Sequence, residues 1–264
     1  MYPKLIEIGS FYLPTYGVLV ALGFLAGLAV TTRLSQRLGL RPELVTNLAV
    51  YVALSGMLGA KIAMILFDWQ QYAAAPGRIF SMETLQAAGV FQGGLILALV
   101  TAYFYMKKQA LPMLSTSDAF APGVAIGHAI GRLGCFAAGC CWGTECDLPW
   151  AVKFHNPAAT LLTGVPLETP LHPAQLYESA TELLLFGFLM WRFKKPHAPG
   201  RIIGLYLVLS SMIRFGIEFV RYHQQPLTLG LSLTQWIALA LAGVGAVLLV
   251  RTGKTTPVSE PVHA

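Results

Sequence analysis

Charge is scarce in this sequence. Only 11% of its 264 residues are Asp, Glu, Lys or Arg, against about 25% in an ordinary soluble domain. The segments 8–32, 84–106 and 222–250 carry none at all, and each is longer than the roughly 20 residues that cross a bilayer core. Buried helices of soluble proteins rarely run so far without a charge, so a soluble fold is excluded. A basic head leading into an apolar block and a small-residue cleavage site is also missing from MYPKLIEIGSFYLPTYG. No cleavable signal peptide is therefore expected, and the first helix is expected to target the chain. No internal repeat and no low-complexity tract is visible, which speaks against a transporter built from repeats. The net charge of +6 comes without the interleaving of basic and aromatic residues that suits RNA or DNA, so no nucleic-acid partner is expected.

What is present is an all-α pattern, a polytopic membrane helical bundle. Seven transmembrane helices are expected near 16–32, 44–67, 90–106, 119–136, 174–190, 202–219 and 231–250. They form one expected domain, 1–252, with a small outer-face head at about 137–171, followed by a polar, disordered tail at 253–264. The basic residues set the orientation. One set of loops holds Arg33, Arg37, Arg41, Lys107, Lys108, Arg192, Lys194, Lys195, Arg201, Arg251 and Lys254, and the other only Lys4, Arg78, Lys153 and Arg221. The rich side is expected to be cytoplasmic, with the N-terminus outside and the C-terminus inside.

Against this apolar background a few polar groups stand out. Arg132 lies inside AIGHAIGRLGCFAAGCCWG at 125–143. A guanidinium cannot shed its charge, so within a membrane helix it needs an anion, or must snorkel to the interface. His128, Arg132 and Cys135 follow at i, i+4 and i+7, on one helical face, and Gly131 lets a ligand approach the backbone closely. Arg214, Glu218 and Arg221 form a second row: either Arg214 and Glu218 neutralise each other, or the extra arginine leaves room for a phosphate. A third row, Gln175, Glu178 and Glu182, begins just after His172-Pro173 and includes Tyr177. It reads as an ordinary helix start at the interface, or as groups that hold a headgroup or water. The cysteines run C-x4-C-C-x4-C from Cys135 to Cys146, which matches no common zinc pattern. Disulfides on an oxidising face, or metal and thiol chemistry, both remain open, although adjacent Cys140 and Cys141 bridge poorly.

Taken together, TYG at 15–17, GGLI at 93–96, GRLGCF at 131–136, GCCWG at 139–143, HPAQLYE at 172–178 and RFGIEFVR at 214–221 resemble the prolipoprotein diacylglyceryl transferase family, in its order and over most of the chain. The resemblance implies an enzyme of the bacterial inner (plasma) membrane. Such an enzyme moves the diacylglyceryl group of phosphatidylglycerol to the lipobox cysteine thiol of a preprolipoprotein signal peptide and releases glycerol phosphate. Its partners are then phosphatidylglycerol, that signal peptide and membrane lipid, with no cofactor and no metal. It implies that Arg132 contacts the headgroup, that Arg214 and Glu218 are the second essential pair, and that Tyr16 is the tyrosine of the first span. The substrate-binding set is Arg132, Gly131, Gln92, Gly93, Gly94, His172, Gln175, Tyr177, Glu178 and Arg221. Fixed guanidiniums would stabilise the leaving glycerol phosphate, and a base would convert the acceptor thiol, whose ordinary pKa is near 8.5, to thiolate.

The chain also departs from the family. Gln92 stands where the family has the histidine favoured as its base. Cys135 replaces an asparagine, Cys140 a glutamate and Ser210 a tyrosine, and Lys61 follows Gly59-Ala60 where an arginine is usual. His128, on the face of Arg132, is the substitute base this pattern offers. The alternative is a divergent member with a different acceptor, or a thiol-redox or metal role built on the cysteines.

Overall fold

The computed structural model describes residues 3–8, 11–81, 84, 89–223 and 227–253. The expected tail therefore lies almost wholly outside the described residues. Two strands open the chain, β1 (Lys4–Ile8) and β2 (Phe11–Pro14), paired antiparallel with a bulge between Lys4 and Ile6. This hairpin is an addition to the all-helical expectation. Pro14 ends it because it has no N–H for the ladder. Helices follow: α1 (Thr15–Arg37), α2 (Pro42–Phe67), α3 (Trp69–Ala74), a 3-10 turn (Pro76–Phe80), α4 (Phe91–Lys108), α5 (Met113–Ala138), α6 (Pro157–Thr163), α7 (Ala174–Phe193), α8 (Arg201–Ile217) and α9 (Leu233–Thr252). Each expected span coincides with one of the long helices. Among the described residues, α1, α2 and α9 are long and apolar enough to cross a membrane by length and composition. Their outward faces invert the soluble pattern: Leu54, Met57 and Leu58 of α2, and Leu241, Val244 and Val247 of α9, are exposed. So much contiguous apolar surface suits lipid rather than water.

The described residues form two compact units, one of residues 1–34 and 117–264, the other of residues 35–116. In the second, α2 and α4 meet along glycines. A Cβ on Gly59 would sit 2.5 Å from the carbonyl oxygen of Gly93, and one on Gly94 2.7 Å from that of Gly56. Small residues at this spacing let helix backbones touch, the usual route to tight packing where lipid removes the hydrophobic drive. Gly93 and Gly94 thus have a packing duty of their own.

The first unit repeats the device. A Cβ on Gly27 of α1 would lie 2.6 Å from the oxygen of Gly123 in α5, and one on Gly23 2.8 Å from that of Gly127. Gly204 of α8 and Gly245 of α9 approach in the same way, 2.9 Å from a Cβ on Gly245 to the Gly204 oxygen. The α5–α8 junction is polar. Buried Asp118 accepts from Gly200 N at 2.7 Å and from Ile203 N at 2.8 Å, capping the exposed N–H groups at the start of α8. Asp118→Ala is expected to destabilise the unit by about 2 kcal/mol, read as a lower midpoint of thermal unfolding in detergent. An unchanged midpoint would remove the cap from the account.

Between α5 and α7 the chain builds the head. Phe154, Ala159, Val165 and Leu171 form a small core covered by Trp142, Val152 and Leu167. Asn156 caps α6 by accepting from Ala158 N at 2.9 Å. Bridges join Val152 to Leu171 and Gly143 to Arg221. Gly143 must be glycine, because a Cβ there would lie 2.6 Å from the carbonyl oxygens of both His172 and Val220.

Candidate functional site

Arg132 is the centre of a polar cluster in the first unit. The expected face of α5 forms: Arg132 Nε donates to His128 Nε2 at 3.2 Å, and Nη1 to Cys135 Sγ at 3.8 Å. The anion comes from α7. Glu178 Oε1 lies 2.9 Å from Arg132 Nη2 and 3.2 Å from His128 Nε2, and Glu182 Oε1 lies 3.4 Å from His128 Nδ1. The two carboxylates are buried, while the His128 side chain is 33% exposed and reachable. Ser179, between them, donates to the carbonyl oxygen of Ala129 at 2.8 Å and locks α7 against α5. A Cβ on Gly131 would meet nothing within 4 Å, so this turn of α5 has no close neighbour on the Gly131 side among the described residues. Arg132 is not a snorkelling side chain with water as its partner; it is held by a buried carboxylate and an imidazole.

The second arginine is built differently. Arg214, in the last turn of α8, pairs with Glu218 at 2.7 Å. Glu218 also accepts from Ser232 Oγ at 2.9 Å, and His223 Nε2 stands 3.9 Å away. Among the described residues, Arg214 Nη1 is buried with no hydrogen-bond partner, as is Glu182 Oε2. An unsatisfied buried donor on a guanidinium is expensive, and an acceptor placed there would relieve it. Arg214 lies within electrostatic reach of Glu178 and Arg132, so both arginines belong to one centre. Glu218→Ala would leave that guanidinium buried and unpaired, an expected loss of about 3–5 kcal/mol. The thermal midpoint in detergent checks this, and a shift no larger than that of an exposed substitution would refute it.

Other expected residues take varied places. Tyr16 begins α1 and packs on the turn after Arg132, with its ring 3.3 Å from a Cβ on Gly134; it is 41% exposed. Arg221 is not on the helical face predicted for it. The α8 helix ends at Ile217, and Arg221 sits beyond it, bridged to Gly143, because the chain turns to join the head. Gln175 donates to the carbonyl oxygen of Cys140 at 2.7 Å. Tyr177 accepts from Trp150 Nε1 at 2.7 Å and lies 3.4 Å from His172 Nδ1. These two therefore tie the start of α7 to the head, with no described contact to Arg132. Gln92, Gly93 and Gly94 lie on α4, in the other unit. A cavity of about 720 Å³, lined in part by Trp142, Gly143, Gly164 and Tyr222, opens in the head beside the Arg221 bridge.

Two participants were underweighted in the sequence. Glu182 appears there only as the end of a row, yet it is the second carboxylate on His128. Its signal was the i, i+4 spacing from Glu178, in a helix whose one other charged residue is Arg192 in the last turn. Tyr206, hydrogen-bonded to Ser210 and within reach of Glu182, brings a phenol into the centre one turn before the position where the family's tyrosine is missing. With α7 included, Arg132 pairs with Glu178 and Arg214 with Glu218, while Glu182 sits on His128. Nearby, the sulfurs of Cys135, Cys140 and Cys141 lie within 4.8 Å of one another. The Cys135 and Cys140 thiols, and after them Arg221 and Arg132, pull the Cys141 thiol below its ordinary value against the effect of burial. Cys135 and Cys141, with burial, push Cys140 up.

The described residues thus make a helical protein of membrane type in which arginines, glutamates and histidines of α5, α7 and the end of α8 gather into a centre suited to an anion. The comparison with known sequences narrows this. The prolipoprotein diacylglyceryl transferase family profile matches residues 3–251, and the chain belongs to that family. It is 32% identical over 248 residues to a phosphatidylglycerol–prolipoprotein diacylglyceryl transferase of Clostridium tetani, covering 93% of this chain and 95% of the relative. It is 33% identical to a protein of the same name from Chromohalobacter salexigens, covering 92% and 90% of the two chains. The match to one from Bordetella bronchiseptica is 32%, covering 96% and 95%.

Proposed function

We propose that this protein is a phosphatidylglycerol–prolipoprotein diacylglyceryl transferase of the bacterial inner membrane, with its N-terminus outside, its C-terminus cytoplasmic, and the lipobox cysteine of a preprolipoprotein as acceptor. The observation that carries the reading is the Arg132–Glu178–His128 cluster, set within reach of an arginine whose Nη1 has no hydrogen-bond partner among the described residues. The phosphodiester of phosphatidylglycerol binds between Arg132 and Arg214. The acceptor sulfur attacks the diacylglyceryl carbon, and a carbon–sulfur bond forms. The bond from that carbon to the phosphate oxygen breaks, and its electron pair leaves on glycerol phosphate. Donors already aimed at that oxygen need no reorganisation as its charge grows. The thiol proton passes to His128 Nε2 as the Arg132 Nε–H withdraws from it, and Glu178 and Glu182 on either side stabilise the imidazolium that forms. In this scheme no metal or cofactor takes part.

The test is transfer of labelled diacylglyceryl from phosphatidylglycerol to a lipobox peptide by the purified chain in detergent. A thioether product formed together with an equal amount of glycerol phosphate is expected. A protein that binds phosphatidylglycerol yet transfers nothing to any lipobox peptide would overturn the acceptor assignment.

A further inference from the structure

Three cysteines take no part in the transfer scheme, although they sit beside its central arginine. Their convergence is built by the turn that ends α5. Gly139, at φ 80°, reverses the chain, and Cys140 N donates to the carbonyl oxygen of Cys135 at 3.0 Å. Gln175 of α7 holds the Cys140 carbonyl from the other side. Cys141 then adopts φ 62°, a left-handed conformation that side chains other than glycine seldom take. The outcome is that one helical cysteine and two from the turn bring all three sulfurs within 4.8 Å of one another.

We propose that Cys135, Cys140 and Cys141 form a three-thiolate site for a thiophilic metal ion of the Zn2+ or Cu+ type, with Arg132 as its counter-charge. The distances suit it. Zinc–sulfur bonds of about 2.3 Å set ligand sulfurs about 3.8–4.0 Å apart. From the present separations each sulfur needs to move by less than about half an ångström to reach bonding distance. Thiolates are the ligands that select such ions over Mg2+ or Ca2+. Charge fits as well. Three thiolates around a divalent ion carry one excess negative charge, and around a monovalent ion two. The guanidinium of Arg132, 3.8 Å from Cys135 Sγ, offsets part of that excess. An arginine that would repel a bare cation thus stabilises the thiolate complex. A disulfide would use two of the three sulfurs, and the adjacent pair is the poorest to bridge; a metal uses all three and leaves a fourth position open. Binding consumes no oxidant: three thiols lose three protons to the buffer as the metal–sulfur bonds form. The site is independent of the transfer reading, since it is tested by metal and thiol content rather than activity.

The experiment uses the full chain in detergent, reduced and stripped with chelator, then titrated with Zn2+ against a chromogenic competitor. One Zn2+ per chain is expected, with three fewer thiols open to a thiol reagent in the bound state. Cys140→Ser and Cys141→Ser are expected to weaken binding by about 100-fold or more, and Arg132→Ala by about tenfold. Cys146→Ser, outside the group, leaves it unchanged. Wild-type protein that takes up no stoichiometric Zn2+ overturns the proposal, whatever the variants do. So does binding untouched by Cys141→Ser. So does a pair of thiols that disappears on air oxidation, returns with reductant and is not protected by Zn2+, which would identify a disulfide instead.

Discussion

Arg132→Ala reduces diacylglyceryl transfer by about 10²–10³-fold or more, the scale seen when one preorganised donor to a developing oxyanion is removed. The size follows from how many duties one side chain holds. Its Nη2 pairs with Glu178, Nε with His128 and Nη1 with Cys135. Without it Glu178 is buried with one positive neighbour fewer, and the proposed phosphodiester site loses one of its two guanidiniums. Arg132→Lys does not rescue, because a single ammonium cannot span three partners in a fixed fork. The measurement is single-turnover transfer from labelled phosphatidylglycerol to a lipobox peptide, with lipid binding followed in parallel. Loss of transfer with lipid still bound separates transition-state stabilisation from headgroup capture. Full transfer by Arg132→Ala would remove this residue from the site.

His128→Ala carries the second large effect, an expected loss of about 10²–10⁴-fold in kcat, the range for a positioned proton acceptor. The base must be unprotonated to accept the thiol proton, so wild-type activity falls as pH drops. In His128→Ala this acid limb disappears together with most of the rate. KM for the peptide should change little, because the imidazole acts on the proton rather than on the peptide's position. The case for this histidine rests on geometry. It is the reachable imidazole beside Arg132, and two buried carboxylates flank it. An unchanged rate and pH profile would make His128 a structural partner of Glu178 and Glu182, and would move the base to Glu182, whose Oε2 has no hydrogen-bond partner among the described residues.

Both predictions use residues that were legible in the sequence to different degrees. The face of His128, Arg132 and Cys135 could be read directly, because helical periodicity is a local property and all three side chains point from one helix. The pairing of Arg214 with Glu218 was readable for the same reason. The fate of Arg221 was not: it follows the same spacing, but α8 ends before it, and a bridge to Gly143 carries the chain away. The β1–β2 hairpin was also missed, since two strands of five and four residues are too short to show a clear alternation beside a long apolar run. The glycines in α1, α4 and α5 were visible, but their partners were not. Only the packed structure tells that Gly27 meets Gly123 while Gly59 meets Gly93.

The sequence by itself determined the membrane class, the positions of the long helices, the family and the residue types at the centre. All of these follow from local chemistry: apolar length against bilayer thickness, helical spacing, and motifs of contiguous residues. The tertiary structure decided the rest. It chose Glu178 and Glu182 of α7 as the partners of Arg132 and His128, left Arg214 Nη1 without one among the described residues, and folded Cys140 and Cys141 back toward Cys135. The physical reason is that in an apolar surround a charge is stable only beside its counter-charge. Which counter-charge it meets depends on how helices far apart in sequence pack, and that packing is set by glycine seams and buried hydrogen bonds whose two halves no single segment contains.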